Sequence, residues 1–364
     1  MKKILIMVAF FFLSSQLVPY IAQADDNMAY SVSAVIPENQ IDKTLTYFDL
    51  KMEPNQKQEI LLNVSNASDK EEIIVITPNN AKTNQNGVID YSQSKGEGDS
   101  SLKVPLTSVI SEAQEVSLAP NESKQVTFTL QMPEKEFDGV ILGGFYIAKK
   151  ENKDKAEESE KNVQIVNNYS YVIGIQLSEN TAEVKPNLKL NQIKPALLNY
   201  RTAVTANIQN IEATKIKDLS VDGKVTRKGS SDVLHETVKE NLSMAPNSNF
   251  DFPINWDNQT LEAGTYTLKL NAKSGEDEWE FEKDFEISAK GSNKLNNEAV
   301  ELEKKPVNWL VIILIVIGSF ILLISIIFYF IYRHKKKLAA EKRACLARKR
   351  QRQRQAHKRK MTKS

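Results

Sequence analysis

What most restricts the fold of this chain is a period of two. Val126, Phe128, Leu130 and Met132 alternate with Gln125, Thr127, Thr129 and Gln131, and Ile60, Leu62 and Val64 alternate with mostly polar neighbours. The same spacing returns at Val204, Ala206 and Ile208, and again at Tyr266, Leu268 and Leu270. Successive side chains of a strand point to opposite faces, so this pattern describes strands with one face buried and the other in water. In EWEFEKDFEIS, Trp279, Phe281, Phe285 and Ile287 share one face while Glu280, Glu282, Asp284 and Glu286 share the other. Lys283 falls on the apolar face, where a bulge or an edge position would accommodate it. Turn signals recur about every 8–12 residues and no helix-length periodic segment intervenes before the C-terminal apolar run. The fold class predicted is all-β, built of antiparallel immunoglobulin-like β-sandwiches.

One phrase punctuates these strands three times: LKMEPNQKQEILLNV from Leu50, VSLAPNESKQVTFTL from Val116 and LSMAPNSNFDFPI from Leu242. Proline fixes φ and asparagine tolerates turn conformations, so each copy reads as strand, tight turn, strand.

The two ends of the chain assign compartments. Met1, Lys2 and Lys3 precede an apolar run from Ile4 to Leu13, and Ala22 and Ala24 stand at the −3 and −1 positions of a signal-peptidase site. Residues 1–24 are thus expected to be a secretory signal peptide. From Trp309 to Tyr332 run 24 residues without a charge. At ~1.5 Å per residue they make roughly 36 Å of helix, enough to span a bilayer, with aromatic residues at both span ends. Residues 333–364 hold 15 Lys or Arg against the single Glu341. Bases beside a span stay inside, which predicts a single-pass type I protein of the cell membrane whose large N-terminal part is extracellular. Outside the signal peptide and the tail the chain carries about −14, an acidic, solvated surface. The basic tail suits anionic lipid headgroups better than nucleic acid, since no recognition fold or aromatic interleaving accompanies it.

Cys345, in the tail, is the sole cysteine. The exported part therefore has no disulfide and no thiol nucleophile, and about 280 residues must be held by packing alone. That length suits two tandem sandwiches. The expected divisions are 25–180, 181–289, a polar stalk at 290–308, the membrane helix at 309–332 and the tail at 333–364. The charged stretch KKENKDKAEESEKN reads as a loop or linker. The strand in VQIVNNYSYVIGIQLSE either completes the first domain by pairing with GVILGGFYIA or opens the second, so ownership of 163–179 stays open. Pairing with GVILGGFYIA puts the hinge near Glu179–Pro186.

Little of the sequence resembles a catalytic constellation. His235 is the only extracellular histidine, which leaves no zinc cluster and no Ser-His-Asp or Cys-His site. Ser92-Gln93-Ser94-Lys95 matches S-x-x-K, but S-D-N and K-T-G are absent. Asn84-Gln85-Asn86-Gly87 with Asp90 fills only half of a calcium loop, and Asn-Gly favours a hairpin turn. Paired carboxylates could serve glycoside cleavage, although compact sandwiches offer few long loops to build a pocket. No catalytic, cofactor or metal residues are assigned, and ligand-binding residues stay unknown. A sandwich binds through edges and end loops, so the surfaces expected to bind are the TNQNGVID hairpin, the SKGEGDSS loop and the sheet edges. Trp256 and Trp279 are expected in the core.

SVSAVIPENQ, TLTYFDLKMEPNQKQEILLNVSNASDKEEIIVITPNNAKTNQNGVIDYS and FDGVILGGFYIA together resemble the N-terminal domain of the WxL-interacting protein family of Gram-positive bacteria. NNYSYVIGIQL, LSMAPNSNFDFPINW and LEAGTYTLKL ahead of WEFEKDFEI resemble that family's second domain. The resemblance implies a non-enzymatic surface protein that binds peptidoglycan through its first domain and host components, such as extracellular-matrix proteins, through its second. It also implies WxL-domain surface proteins as partners, held at the cell wall. It draws the domain boundary nearer 150–162. No LPxTG-type sequence precedes the span, so anchoring is expected to be by membrane.

Overall fold

The computed structural model describes residues 30–92, 98–150, 169–303 and 309–361. The expected signal peptide with Ala22 and Ala24, most of the S-x-x-K stretch, all but the first two residues of the charged linker and part of the expected stalk lie outside the described residues.

The first sandwich is built from β1 (Tyr30–Val35), β2 (Phe48–Lys51), β3 (Lys57–Asn66), β4 (Glu72–Asn80), β5 (Lys82–Thr83), β6 (Ile89–Asp90), β7 (Gln114–Leu118), β8 (Ser123–Gln131), β9 (Ile141–Lys149) and β10 (Ser170–Ser178). A three-stranded sheet in the order β1-β3-β8 faces a five-stranded one in the order β2-β10-β9-β4-β7, while β5 and β6 form a hairpin of their own. All pairings are antiparallel except β2 with β10. The alternating apolar residues of both sheets meet in one core, where the Phe145 ring lies 4.5 Å from Phe128 and 6.4 Å from Phe48. Burying each such side chain contributes roughly 1.5–3 kcal/mol, which is how a cysteine-free sandwich holds together. A single helical turn, α1 (Leu106–Val109), closes one end with Leu106 and Val109 buried.

The second sandwich comprises β11 (Leu188–Leu198), β12 (Arg201–Asn210), β13 (Ile216–Arg227), β14 (Val233–Met244), β15 (Ser248–Asn255), β16 (Gly264–Ser274) and β17 (Asp277–Ile287). Its sheets run β11-β12-β15 and β14-β13-β16-β17. Trp256 is 2 % exposed at the centre, 5.6 Å from Tyr266, which stacks on Phe285 at 5.5 Å. Trp279 packs half-buried against the same core. Lys283 pairs with Leu268 in an unbroken register on β17, an edge strand, so it is an edge position and not a bulge. Its amine donates to the Asn191 carbonyl of β11.

All three Pro-Asn phrases turn where expected. Asn55, Asn121 and Asn247 sit in the left-handed region at φ of 59°, 57° and 46°. In the first two copies the residue after asparagine donates its N–H to the residue before proline, Gln56 to Glu53 and Glu122 to Ala119, at 3.1 Å each. In the third, the Ser248 hydroxyl closes the turn onto the Ala245 carbonyl at 2.8 Å.

The strand in doubt, β10, pairs with β9 along eight residues and with β2 along four. Residues expected to begin a stalk fold instead as α2 (Ala289–Glu298). Ser288 caps it by accepting from Gly291 N–H, and Leu295 packs on the second core. Asn296 exchanges two hydrogen bonds of 2.9 Å with the Leu261 backbone. Two apolar residues in ten, Ala289 and Leu295, gave no periodic signal, so hydrogen bonding to a distant loop was needed to fix this helix.

Both sandwiches and α2 fall in one compact unit, and the C-terminal helix in another. That helix, α3 (Trp309–Met361), runs 53 residues without a break and continues past the expected span end at Tyr332 into the basic tail. The helix-forming Ala, Leu, Arg, Lys and Gln of the tail, with no Pro or Gly, explain the continuation. Its apolar residues from Trp309 to Tyr332 are exposed on every side, the condition of a helix whose solvent is lipid.

Candidate functional site

The β5–β6 hairpin is where sequence and tertiary structure meet. Asn84 Oδ1 accepts the N–H groups of Asn86 and Val88, at 2.9 and 3.2 Å, and Gly87 takes φ +70°. This is the turn reading of Asn84–Gly87. Among the described residues no three His, Cys, Asp or Glu side chains gather as metal ligands do.

The tip of the hairpin does not project into solvent. Gly87 O accepts the Ser243 N–H at 2.6 Å, and a Cβ at Gly87 would come within 2.8 Å of Leu242. The buried Thr83 hydroxyl accepts from Ala245 N–H at 3.0 Å and lies 2.6 Å from Ser248 Oγ. Because Ser248 already donates to Ala245 O, Thr83 is the donor in that contact. The third Pro-Asn turn is thereby the seat of a junction between the sandwiches.

Two further contacts complete the junction. Val140 N–H reaches Ala213 O at 2.8 Å beside Gly139, whose φ of +89° and closeness to that carbonyl leave no room for a side chain. Asp99, from the Gly-rich loop, accepts from Gln209 Nε2 at 2.7 Å and from Asn249 Nδ2. Burial alone would push the Asp99 carboxyl up, but the bonds from Ser101, Asn249 and Gln209 outweigh it and hold the group below the usual carboxylate range. Both loops expected as binding surfaces are thus engaged in joining the two sandwiches.

One flank of the hairpin stays available. It walls a cavity of about 630 Å³ on the outer face of the five-stranded sheet. Gly144 and Gly174 oppose each other across β9 and β10 and leave that face low. Tyr91 covers Gly144, where a Cβ would lie 3.1 Å from its ring, and Tyr47 stands beside Gly174. Asn79 Nδ2 fixes Tyr91, which follows β6, by donating to its carbonyl at 2.8 Å. Burial first, and Tyr47 second, push the Tyr91 phenol up, so it keeps its proton and can donate. Strand β2 pairs β10 only from Ile175 onward, so among the described residues the earlier part of β10 borders the cavity without a strand partner on that side. Gln176 reaches Asp49 Oδ1 with its Nε2 at 2.8 Å, while its buried Oε1 has no partner among the described residues. Aromatic walls, a low floor and a few polar groups make a surface on which a sugar ring or a peptide can lie.

Apart from Ile89 of the TNQNGVID hairpin, the groove residues were not singled out from the sequence as a binding surface. The exposed Tyr47 and the Gly143-Gly144 pair inside a strand were the available signals, since glycine in a strand marks a close approach. His235 and Trp256 do not contribute. Their rings stack at 4.0 Å with His235 5 % exposed, and Nδ1 lies 3.0 Å from Asp257 Oδ2.

Comparison with known proteins follows the same division. Residues 30–149 match the family model described as the WxL interacting protein peptidoglycan binding domain, and residues 160–297 match its host binding domain. The second match takes in β10, which the structure pairs with β9 of the first sandwich. No curated protein matches the chain. Among solved structures, the E. coli chaperone DraB shares 14% identity over 71% of this chain and 96% of that one, at a TM-score of 0.27. The Pseudomonas aeruginosa CupB2 chaperone shares 12% over 65% and 97%, at 0.25. The class 5 fimbriae chaperone CfaA shares 17% over 64% and 94%, at 0.26. At these scores the likenesses carry no argument.

Proposed function

This chain belongs to the WxL-interacting protein family, and from that premise we propose that it is a non-enzymatic, membrane-anchored surface protein that grips peptidoglycan and retains WxL-domain proteins at the wall. A peptidoglycan-binding and a host-binding domain make it a cell-surface binding protein. The observation that carries the finer reading is the tyrosine-walled groove, most of whose lining belongs to the first sandwich: Tyr47, Tyr91 and Leu142 lie in the segment matching the peptidoglycan-binding model, and the β10 residues lie in the segment matching the host-binding one. Glycan rings stack on tyrosine faces, and the unpaired edge of β10 supplies backbone polar groups for an attached peptide.

The domain frame that suits this reading ends the first domain after β10, near residue 180, and the second near 289. Helix α3 fits a single-pass anchor; with its bases inside, the sandwiches lie outside in the wall as a type I protein. The continuous basic helix after Tyr332 would rest on anionic headgroups.

A second reading is favoured by the match of residues 160–297 to a host binding domain: the second sandwich is an adhesin surface for matrix proteins. One experiment separates the two. The full chain in detergent is sedimented with purified sacculi stripped of protein and teichoic acid, then offered to immobilised matrix proteins with no bacterial component present. Saturable pelleting that Tyr47→Ala abolishes supports the wall reading. Binding to matrix proteins without pelleting overturns it in favour of the adhesin.

A further inference from the structure

The groove is not made by the first sandwich alone. Lys215, just before β13, and Lys217, at the start of that strand in the second sandwich, line the same cavity as Tyr47, Tyr91 and Gln176. Neither lysine takes part in any ion pair among the described residues. Asp49 is the acid whose charge acts on Lys215, but it lies beyond ion-pair distance and one of its oxygens is held by Gln176. Two cations therefore sit together at one end of an aromatic groove, in a molecule whose residues outside the signal peptide and tail carry about −14. Burial first, and the neighbouring Lys217 second, hold the half-buried Lys215 amine below the ordinary lysine range. A half-buried cation beside a second one, with Asp49 too distant to form an ion pair, is a place where a ligand anion would be stabilised.

What holds the lysines there is the junction. Thr83, Gly87 and Val140 fasten the first sandwich to the third Pro-Asn turn and to Ala213, two residues before Lys215. The same contacts that fix the hairpin flank carrying Ile89 thus fix the cations opposite it.

We propose that Lys215 and Lys217 of the second sandwich complete the first sandwich's groove and bind a carboxylate on the peptide of the wall polymer, so that both domains grip one ligand. This rests on the reading that the groove binds peptidoglycan. The tyrosines take the sugar, the lysine pair takes the anion, and the partnerless Gln176 oxygen offers an acceptor for a peptide N–H. The division into a wall domain and a host domain then does not describe where the wall ligand is held.

The test uses the full chain in detergent with stripped sacculi, before and after their carboxylates are amidated. Lys215→Met/Lys217→Met should weaken binding about tenfold, the equivalent of ~1.4 kcal/mol, with an unchanged melting temperature. Amidation should weaken wild-type binding to the same degree and leave the double variant indifferent. Should the double variant destabilise the fold, Lys217→Met alone, at an exposed side chain, carries the same comparison. If Tyr47→Ala loses binding while the lysine variants bind like wild type, the composite site is wrong and the first-sandwich groove stands. If wild type does not pellet, or Tyr47→Ala pellets equally, the peptidoglycan reading of the groove fails and the proposal with it. A lysine effect that appears only on sacculi retaining teichoic acid assigns the anion to phosphate and overturns the carboxylate.

Discussion

In the first sandwich, β10 lacks a strand partner among the described residues over half its length on one side, glycines face each other across two strands, and a cavity opens beside them. In the second, β11 approaches β17 and β14 approaches β15, so the sheets nearly close on themselves around Trp256, Tyr266 and Phe285. The strands of the second are also longer, eight to twelve residues, and on the outer face of β12 and β15 Asn207 bonds Asn249 and Asp251. Closure and openness divide the work. A sandwich whose edge strands lie close to those of the facing sheet makes a rigid support, whereas an incompletely paired strand leaves polar backbone and aromatic rings for something else. The two halves meet through buried hydroxyls and loop carbonyls, and this lets the closed half hold two lysines over the open one.

The largest blow to this comparison is Trp256→Ala. Loss of the central aromatic and of the His235 stack should cost about 3–5 kcal/mol, read as a lowered denaturant midpoint. If the junction couples the halves, fluorescence and far-UV signals fall in one transition; two transitions would show the first sandwich to be independent. Gly139→Val comes next. Its Cβ would lie 2.3 Å from Ala213 O at a φ of +89°, so a loss of about 2–3 kcal/mol is expected, with faster proteolysis between the sandwiches. Cleavage at the wild-type rate would mean the Ala213 contact does not hold them.

Thr83→Val tests the buried hydroxyl itself, leaving Ala245 N–H and Ser248 Oγ short of a partner. About 1–3 kcal/mol should be lost, with sacculus binding reduced in step. Acid gives a smaller effect of known sign. The folded value of Asp99 is below that of the unfolded chain, so its contribution is complete above the ordinary aspartate range and is lost as the pH falls through the folded value. Asp99→Asn should flatten that part of the stability curve, and an unchanged curve would remove Asp99 from the junction. Smallest of all is Lys273→Met, which breaks an exposed ion pair with Glu278 on the closed half. No measurable shift of the midpoint is expected, since solvent screens such pairs.

Much of this molecule was legible beforehand because its information is local. Alternation at Val126, Phe128 and Leu130 marks a strand wherever the strand goes, and Pro-Asn turns the chain on φ alone. A run of 24 uncharged residues makes a helix long and apolar enough to cross a membrane whatever else is present. The site was less legible. Tyr47, Tyr91 and Lys215 are separated by as many as 168 positions and share no period, so only the packing of two sheets brings them to one cavity. Helix α2 escaped notice for a related reason: its stability depends on Leu261 and the second core, not on its own pattern.

Sequence by itself determined that the chain makes β-sandwiches between an export signal pattern and an apolar helix, because hydrophobic period and turn chemistry act over a few residues. Tertiary structure alone decided that the third Pro-Asn turn, unlike the other two, receives Thr83 from the other domain. That choice depends on a serine hydroxyl meeting a threonine 165 residues away, a contact that no local preference encodes.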